Sequence, residues 1–260
     1  KGKLGVAGEF GNDILEISRD ETHDKLARLD MPPQEKTKLI QDMREKGVPI
    51  RTICLSGHRK YPMGSEDADV RRLSMEMMEK AIQLSYDIGV RVIQIAGYDV
   101  YYDKPSDKTR ENFLDSLRRS VELASEYGVI LAFETMETPF MNNVKKAMVY
   151  VNEVNSPFLQ VYPDIGNCTN AALVYEEDVV QDLRSGKGHI AAVHLKETVP
   201  GKFRDIKYGT GHVDFTKLIR ASIEQGVRLF VTEFWDTKDI PYKEHIQFSK
   251  SFINQKFLEI

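Results

Sequence analysis

A single closed barrel of eight parallel strands, each followed by a helix, is the fold this sequence predicts. Three observations lead there. The chain's 260 residues match the size of one (β/α)8 TIM barrel, about 250 residues. Near-continuous Val/Ile/Leu runs alternate with amphipathic stretches along the whole length, the pattern of parallel strands covered on both faces. Four of those runs close on an acid or an imidazole: Glu134, Asp164, His194 and Glu233, spaced 30, 30 and 39 residues apart. Such gaps suit one strand–helix–strand unit each.

In chain order, strands are expected at residues 3–7, 13–18, 50–56, 92–96, 130–134, 159–163, 190–195 and 229–233. Helical patterns fill 34–46, 66–88, 109–127, 144–155, 178–185, 215–225 and 242–256. Several helices stop at a glycine just before the next strand (Gly47, Gly89, Gly128, Gly226), the residue suited to a left-handed helix terminus. No linker rich in Pro, Gly or Ser and no low-complexity stretch divides the chain, so residues 1–260 read as one domain. An open doubly wound sheet is the weaker alternative. One spacing breaks the pattern. Only residues 8–12 separate the first two expected strands, whereas a parallel crossover takes a dozen or more. Either the first strand is misplaced or residues are missing near Ala7 and Gly8, and the second explanation is preferred.

Composition narrows the function classes. With 41% hydrophobic and 29% charged residues the chain reads as globular. A net charge of −4 and a pI near 5.9 supply no basic field for nucleic acid or anionic lipid. No run approaches the ~18–20 apolar residues of a membrane span, and no signal peptide is visible. Cys54 and Cys168 lie in different segments and are expected to be unpaired structural thiols. A cytoplasmic location follows as the expectation.

At the C-terminal ends of barrel strands, side chains remote in sequence converge on one mouth. Two Glu, one Asp and one His gathered there make a divalent-metal site. Singly, a Glu closing a buried strand is more often an ion-pair partner, and a His on an apolar strand a core histidine. Four such residues at consecutive strand ends reverse that weighting.

The local motifs are Ala132-Phe133-Glu134-Thr135-Met136-Glu137, Tyr162-Pro163-Asp164-Ile165-Gly166-Asn167, Val193-His194-Leu195-Lys196 and Thr232-Glu233-Phe234-Trp235. With Leu15-Glu16-Ile17-Ser18, Asp20-Glu21-Thr22, Ser56-Gly57-His58-Arg59, Pro62-Met63-Gly64-Ser65-Glu66-Asp67 and Ala96-Gly97-Tyr98-Asp99-Val100-Tyr101-Tyr102, they form an ordered set covering nearly the whole chain. Through this set the sequence resembles the sugar-phosphate isomerase/epimerase branch of the xylose-isomerase-like barrels. Within that branch it is most similar to the enzymes that interconvert L-ribulose 5-phosphate and L-xylulose 5-phosphate in L-ascorbate catabolism. Departures from the family pattern lie beside the functional side chains, at Phe133, Thr135, Thr232 and Phe234.

The resemblance implies a mononuclear site in which Glu134, Asp164, His194 and Glu233 bind one divalent ion (Zn, Mn, Co or Mg), with Glu134 and Glu233 as the proton-transfer pair. It also implies a phosphorylated ketopentose substrate and a homodimer. The chemistry explains the residue types. Inverting the carbon beside a ketone removes a proton from one face and returns one to the other, so two opposed carboxyl groups serve where a single base would restore the starting configuration. Each positioned acid or base contributes roughly 10²–10⁴-fold, and a cation offsets the charge of the enediolate.

Further candidate substrate contacts are His58, Arg59, Asn167, Lys196 and Glu16. For the phosphate, Lys60, Lys202 and Arg204 join Arg59 and Lys196 as cations following strands, and Gly209-Thr210-Gly211 ahead of Asp214 offers backbone N–H groups. Tyr98, Tyr101 and Tyr102 crowd the loop after the fourth expected strand, and Trp235 is placed to shield the site from water. Aldose–ketose isomerisation shares the same enediolate and is the alternative reaction. A zinc-dependent apurinic-site endonuclease also shares the barrel, but six histidines, three of them (His23, His189, His245) away from strand ends, and an acidic balance argue against it. A non-catalytic sugar-binding protein is the remaining alternative.

Overall fold

The computed structural model describes residues 2–235 and 240–260, which fall into two compact units: residues 1–133 with 150–160, and residues 134–149 with 161–260. The first opens on α1 (Lys3–Glu9), β1 (Leu15–Ser18), α2 (His23–Leu26) and α3 (Pro33–Lys46). It continues through β2 (Ile50–Leu55), α4 (Ala68–Ile88), β3 (Val92–Ala96), α5 (Asp107–Glu126) and β4 (Ile130–Glu134), whose last residue belongs to the second unit. With β5 (Leu159–Tyr162) these strands form a sheet in the order β1-β2-β3-β4-β5. The β1/β2 and β2/β3 pairs are parallel. Strand neighbours in sequence are neighbours in the sheet, and a helix stands between them, as the predicted α/β barrel class requires.

Apolar periodicity explains this unit's helices. In α4 the buried side chains Met75, Met78, Ile82 and Ser85 recur at spacings of three and four, one stripe of a 3.6-residue period. Asp67 caps its start by accepting the Asp69 N–H at 2.8 Å, and Gly89, at φ 79°, closes its end. A side chain on an L-residue pays strain in that conformation. Phe113 of α5 meets Phe133 of β4 with ring centroids 6.2 Å apart, and Tyr150 edge-on at 5.2 Å.

Residues 3–7, expected as a strand, lie inside α1. Leu4 and Ala7 are three apart, so the run satisfies a helical period as well as an alternating one, and a stretch this short cannot separate the two. Tertiary packing decides: a Cβ at Gly8 would lie 3.3 Å from the Lys46 carbonyl oxygen at the end of α3. The short spacing that suggested missing residues near Ala7 and Gly8 is therefore a helix-to-strand connection, which needs no crossover.

The second unit takes in the start of α6 (Val144–Val154) and the end of β5, then α7 (Ile165–Tyr175), α8 (Val179–Ser185), β6 (Val193–Leu195), α9 (Phe215–Glu224), β7 (Phe230–Thr232) and α10 (Tyr242–Leu258). β6 and β7 pair in parallel. Parallel bridges join Val161 to Ile190 and Asp164 to His194. Helix α7 was not expected: Gly166, Asn167 and Asn170 carry low helix propensity, and burial of Ile165, Cys168 and Ala171 overrides it. Asp182, buried in α8, accepts the Val144 N–H at 2.9 Å and the Lys145 N–H at 3.0 Å. It thus satisfies amides left open at the start of α6. Replacing Asp182 by Ala should lower unfolding free energy by about 2 kcal/mol. Asp182→Asn, which keeps one acceptor oxygen, should recover part of that loss in urea denaturation.

Candidate metal centre

Within the second unit, Glu134, Asp164, His194 and Glu233 each present a ligand atom within 4.8 Å of the others. Chain geometry brings them there. Glu134 is the last residue of β4, Asp164 lies two residues past β5, His194 is the middle residue of the three in β6, and Glu233 directly follows β7, so all four sit within two residues of a strand's C-terminal end. Asp164 does two jobs. As N-cap of α7 its Oδ1 accepts the Asn167 N–H at 2.8 Å, while its Oδ2 lies 2.7 Å from Lys196 Nζ. His194 Nδ1 stands 3.0 Å from Glu233 Oε2 and 3.5 Å from Glu134 Oε1. The Tyr162 ring packs on the imidazole, centroids 4.7 Å apart.

The electrostatics follow from three carboxyl groups sharing a buried space with one imidazole and one ammonium. Burial, the largest influence, lifts Asp164 to about 7, against the pull of Lys196. Burial likewise raises Glu134, with His194 opposing and Glu233 adding repulsion. For Glu233 burial again pushes upward, but Lys196 and His194 outweigh it and the carboxyl is held low. Burial works to lower Lys196, and the surrounding Asp164, Glu233 and Glu134 reverse that and raise it. Concentrated acid in a dry site calls for a counter-charge. An oxygen-rich set with one imidazole fits a divalent cation of the Mn²⁺, Zn²⁺, Co²⁺ or Mg²⁺ kind.

Of the candidate substrate contacts, Lys196 and Asn167 lie in this unit. Lys196, only 4% exposed, is among the acids and 5.7 Å from the centre of the Trp235 ring. Arg204 lies 5.8 Å from the same ring centre and pairs with Glu137 at 2.8 Å. Asn167 donates from Nδ2 to the Thr135 carbonyl at 2.7 Å. Glu16, His58 and Arg59 belong to the first unit. There Glu16 accepts from the Thr52 hydroxyl at 2.6 Å. Arg59 lies 4.9 Å from the centre of the Tyr101 ring, which packs against Tyr98 and Tyr102. His58 is buried in the turn after β2.

Two local expectations change. Two of the amides of the 209–211 loop, offered as a phosphate contact, are engaged within the chain: Gly209 donates to Glu197 and Thr210 to the Lys207 carbonyl. Thr135, taken as a neutral neighbour of Glu134, accepts the Asp164 N–H at 2.9 Å through its hydroxyl, so it ties one acid's strand end to the next. Glu197 and Tyr208 were missed too. The only sequence signal was one more charge directly after the His194-Leu195-Lys196 strand end.

Residues 4–252 match the xylose isomerase-like TIM barrel family. The chain is 43% identical over 244 residues to the L-ribulose-5-phosphate 3-epimerase UlaE of Escherichia coli (strain SMS-3-5 / SECEC), covering 93% of this chain and 84% of that protein. The figures for the enzyme of the same name from Salmonella heidelberg (strain SL476) are identical. Among solved structures, D-psicose 3-epimerase with D-tagatose from Clostridium cellulolyticum H10 superposes with a TM-score of 0.78 at 17% identity, covering 97% of this chain and 91% of that one. An L-ribulose 3-epimerase gives 0.75 at 17% identity over 98% and 88%. These structural likenesses are of fold.

His58 generates a pH prediction. Burial lowers its imidazole to about 4, only partly offset by a backbone contact at Ser74, while an unfolded histidine titrates near 6.5. Between those values the unfolded chain binds the extra proton, so stability falls as pH drops from about 6.5 towards 4. The loss from this one group should reach roughly 3 kcal/mol near pH 4. In denaturation measured across that range, His58→Gln should lack this part of the decline; an unchanged slope would refute the assignment.

Proposed function

The chain belongs to the xylose isomerase-like TIM barrel family, and on that footing we propose that it is a metal-dependent 3-epimerase interconverting L-ribulose 5-phosphate and L-xylulose 5-phosphate. The observation that carries the reading is the meeting of Glu134, Asp164, His194 and Glu233 within 4.8 Å in a chain 43% identical to L-ribulose-5-phosphate 3-epimerases. Residues 1–260 act as one catalytic domain of the TIM-barrel class, in the cytoplasm, as a homodimer, in L-ascorbate catabolism. No helix among the described residues is long and apolar enough to cross a membrane.

Glu134, Asp164, His194 and Glu233 hold the cation. When bound, it supplies fixed positive charge beside the oxygens on which negative charge develops. The protein's own groups do the rest. One glutamate of the Glu134/Glu233 pair takes the proton from carbon 3 and the other returns a proton to the opposite face, the roles exchanging with direction. Lys196, held among the acids, contributes a further positive charge near the same oxygens. Trp235 covers the ammonium and keeps bulk water from the enediolate. Glu16, His58, Arg59 and Asn167 are assigned to substrate contact.

The test is direct. The purified protein, given L-ribulose 5-phosphate in deuterium oxide, should form L-xylulose 5-phosphate with deuterium at carbon 3, read by NMR. Glu134→Gln and Glu233→Gln should each lower kcat by at least about 10²-fold. A chelator should abolish turnover, and Mn²⁺ or Zn²⁺ should restore it. Formation of an aldose with carbon 3 unchanged would replace epimerisation by isomerisation. Turnover unaffected by both substitutions would remove the mechanism.

A further inference from the structure

Directly after Lys196 comes a further buried carboxyl group, one the proposed chemistry leaves unused. Glu197 is only 3% exposed, and its side chain turns to backbone. Oε1 accepts the N–H of Thr198 at 3.1 Å and of Val213 at 3.2 Å, and Oε2 that of Gly209 at 3.0 Å. Three amides from two strands of one loop are thereby gathered on one side chain. The clasp is tight: a Cβ at Gly211 would stand 2.1 Å from the Thr198 carbonyl oxygen and 2.3 Å from Glu197 Oε1. Only glycine fits there.

The loop so held begins at Tyr208. Its ring is buried against Phe215, Phe252 and Phe234, with centroids 5.5, 5.7 and 6.2 Å away. Its hydroxyl donates to the Leu195 carbonyl, and the Glu233 carbonyl oxygen lies 3.2 Å from it. The Leu195 carbonyl also accepts the Glu233 N–H at 2.9 Å. One phenol therefore sits where the backbone just after His194 meets the backbone of Glu233.

We infer that Glu197 and Tyr208 are positioning residues for the epimerase: Glu197 holds the 208–213 loop closed, and the Tyr208 hydroxyl pins the main chain of Glu233 to that of Leu195. The inference rests on the role proposed for Glu233 and His194. A group that moves a proton and also binds a cation must be held to within about 0.5 Å. Glu233 stands just beyond a three-residue strand, too short to hold it alone. Partners of ligating groups typically change metal affinity or activity 10–100-fold when removed.

Tyr208→Phe deletes the hydroxyl and keeps the ring, so it isolates the pin from the packing. Measured on the purified full chain, it should leave the thermal midpoint and KM little changed. It should also weaken Mn²⁺ binding, titrated into metal-free protein, and lower kcat, each about 10–100-fold. Amide hydrogen exchange in the peptide containing Glu233 should speed up. Glu197→Gln, which turns an NH₂ towards the Gly209 amide, should do the same. The double substitution should lose less than the product of the two single losses, because both act through one loop. Tyr208→Phe binding Mn²⁺ and turning over like wild type would overturn the inference. So would losses that only track a fall in thermal midpoint. If wild-type protein binds Mn²⁺ without epimerising the sugar phosphate, the proposed function fails, and the Mn²⁺ titration and hydrogen exchange of Tyr208→Phe still decide the positioning role.

Discussion

Three carboxyl groups brought within 4.8 Å of one another and of an imidazole are the constraint on which the second unit turns. Buried acids repel, and each loses hydration on leaving water. A protein keeps such a group only where a cation, hydrogen bonds or both compensate. Here Lys196 supplies one positive charge at 2.7 Å from Asp164, and backbone amides supply a little more. What remains is a deficit of positive charge that a divalent ion would meet, and under the proposed function that ion would also offset the negative charge developing on the sugar's oxygens.

Much of the neighbouring structure serves to hold those side chains against their own repulsion. Asp164 is fixed from both sides, by the Thr135 hydroxyl on its N–H and by the start of α7 on its Oδ1. Tyr162 backs the imidazole of His194. Glu233, beyond the short β7, draws its support from the Leu195 carbonyl and Tyr208. Hydrogen bonds from Asp164 N–H to Thr135, from His194 N–H to the Pro163 carbonyl and from Glu233 N–H to the Leu195 carbonyl link each strand end to the next, so the four groups are not four independent positions.

Most of the fold was legible because its signals are long. The expected strands at 92–96 and 130–134 coincide with β3 and β4, and the α4, α5 and α9 patterns end where glycines predicted. Short segments were less readable. Residues 3–7 satisfied two periods at once, and α7 begins with residues that disfavour helices until burial is counted. The four strand-end residues could be found because each interrupts an apolar run with a charge or an imidazole. Thr135, Glu197 and Tyr208 could not, since their work is done through backbone carbonyls and amides, to which no pattern of side chains points. The glycine pair at 209 and 211 did signal something special, but a clasped loop and a phosphate-binding loop write the same glycines.

The most direct measurement is anomalous diffraction at the zinc edge from crystals of this protein soaked in a zinc salt. One strong peak is expected, with a carboxylate oxygen of Glu134, Asp164 and Glu233 and a ring nitrogen of His194 each about 2.0–2.2 Å from it. A peak elsewhere, or none with the four side chains ordered as described, would contradict the proposed metal site.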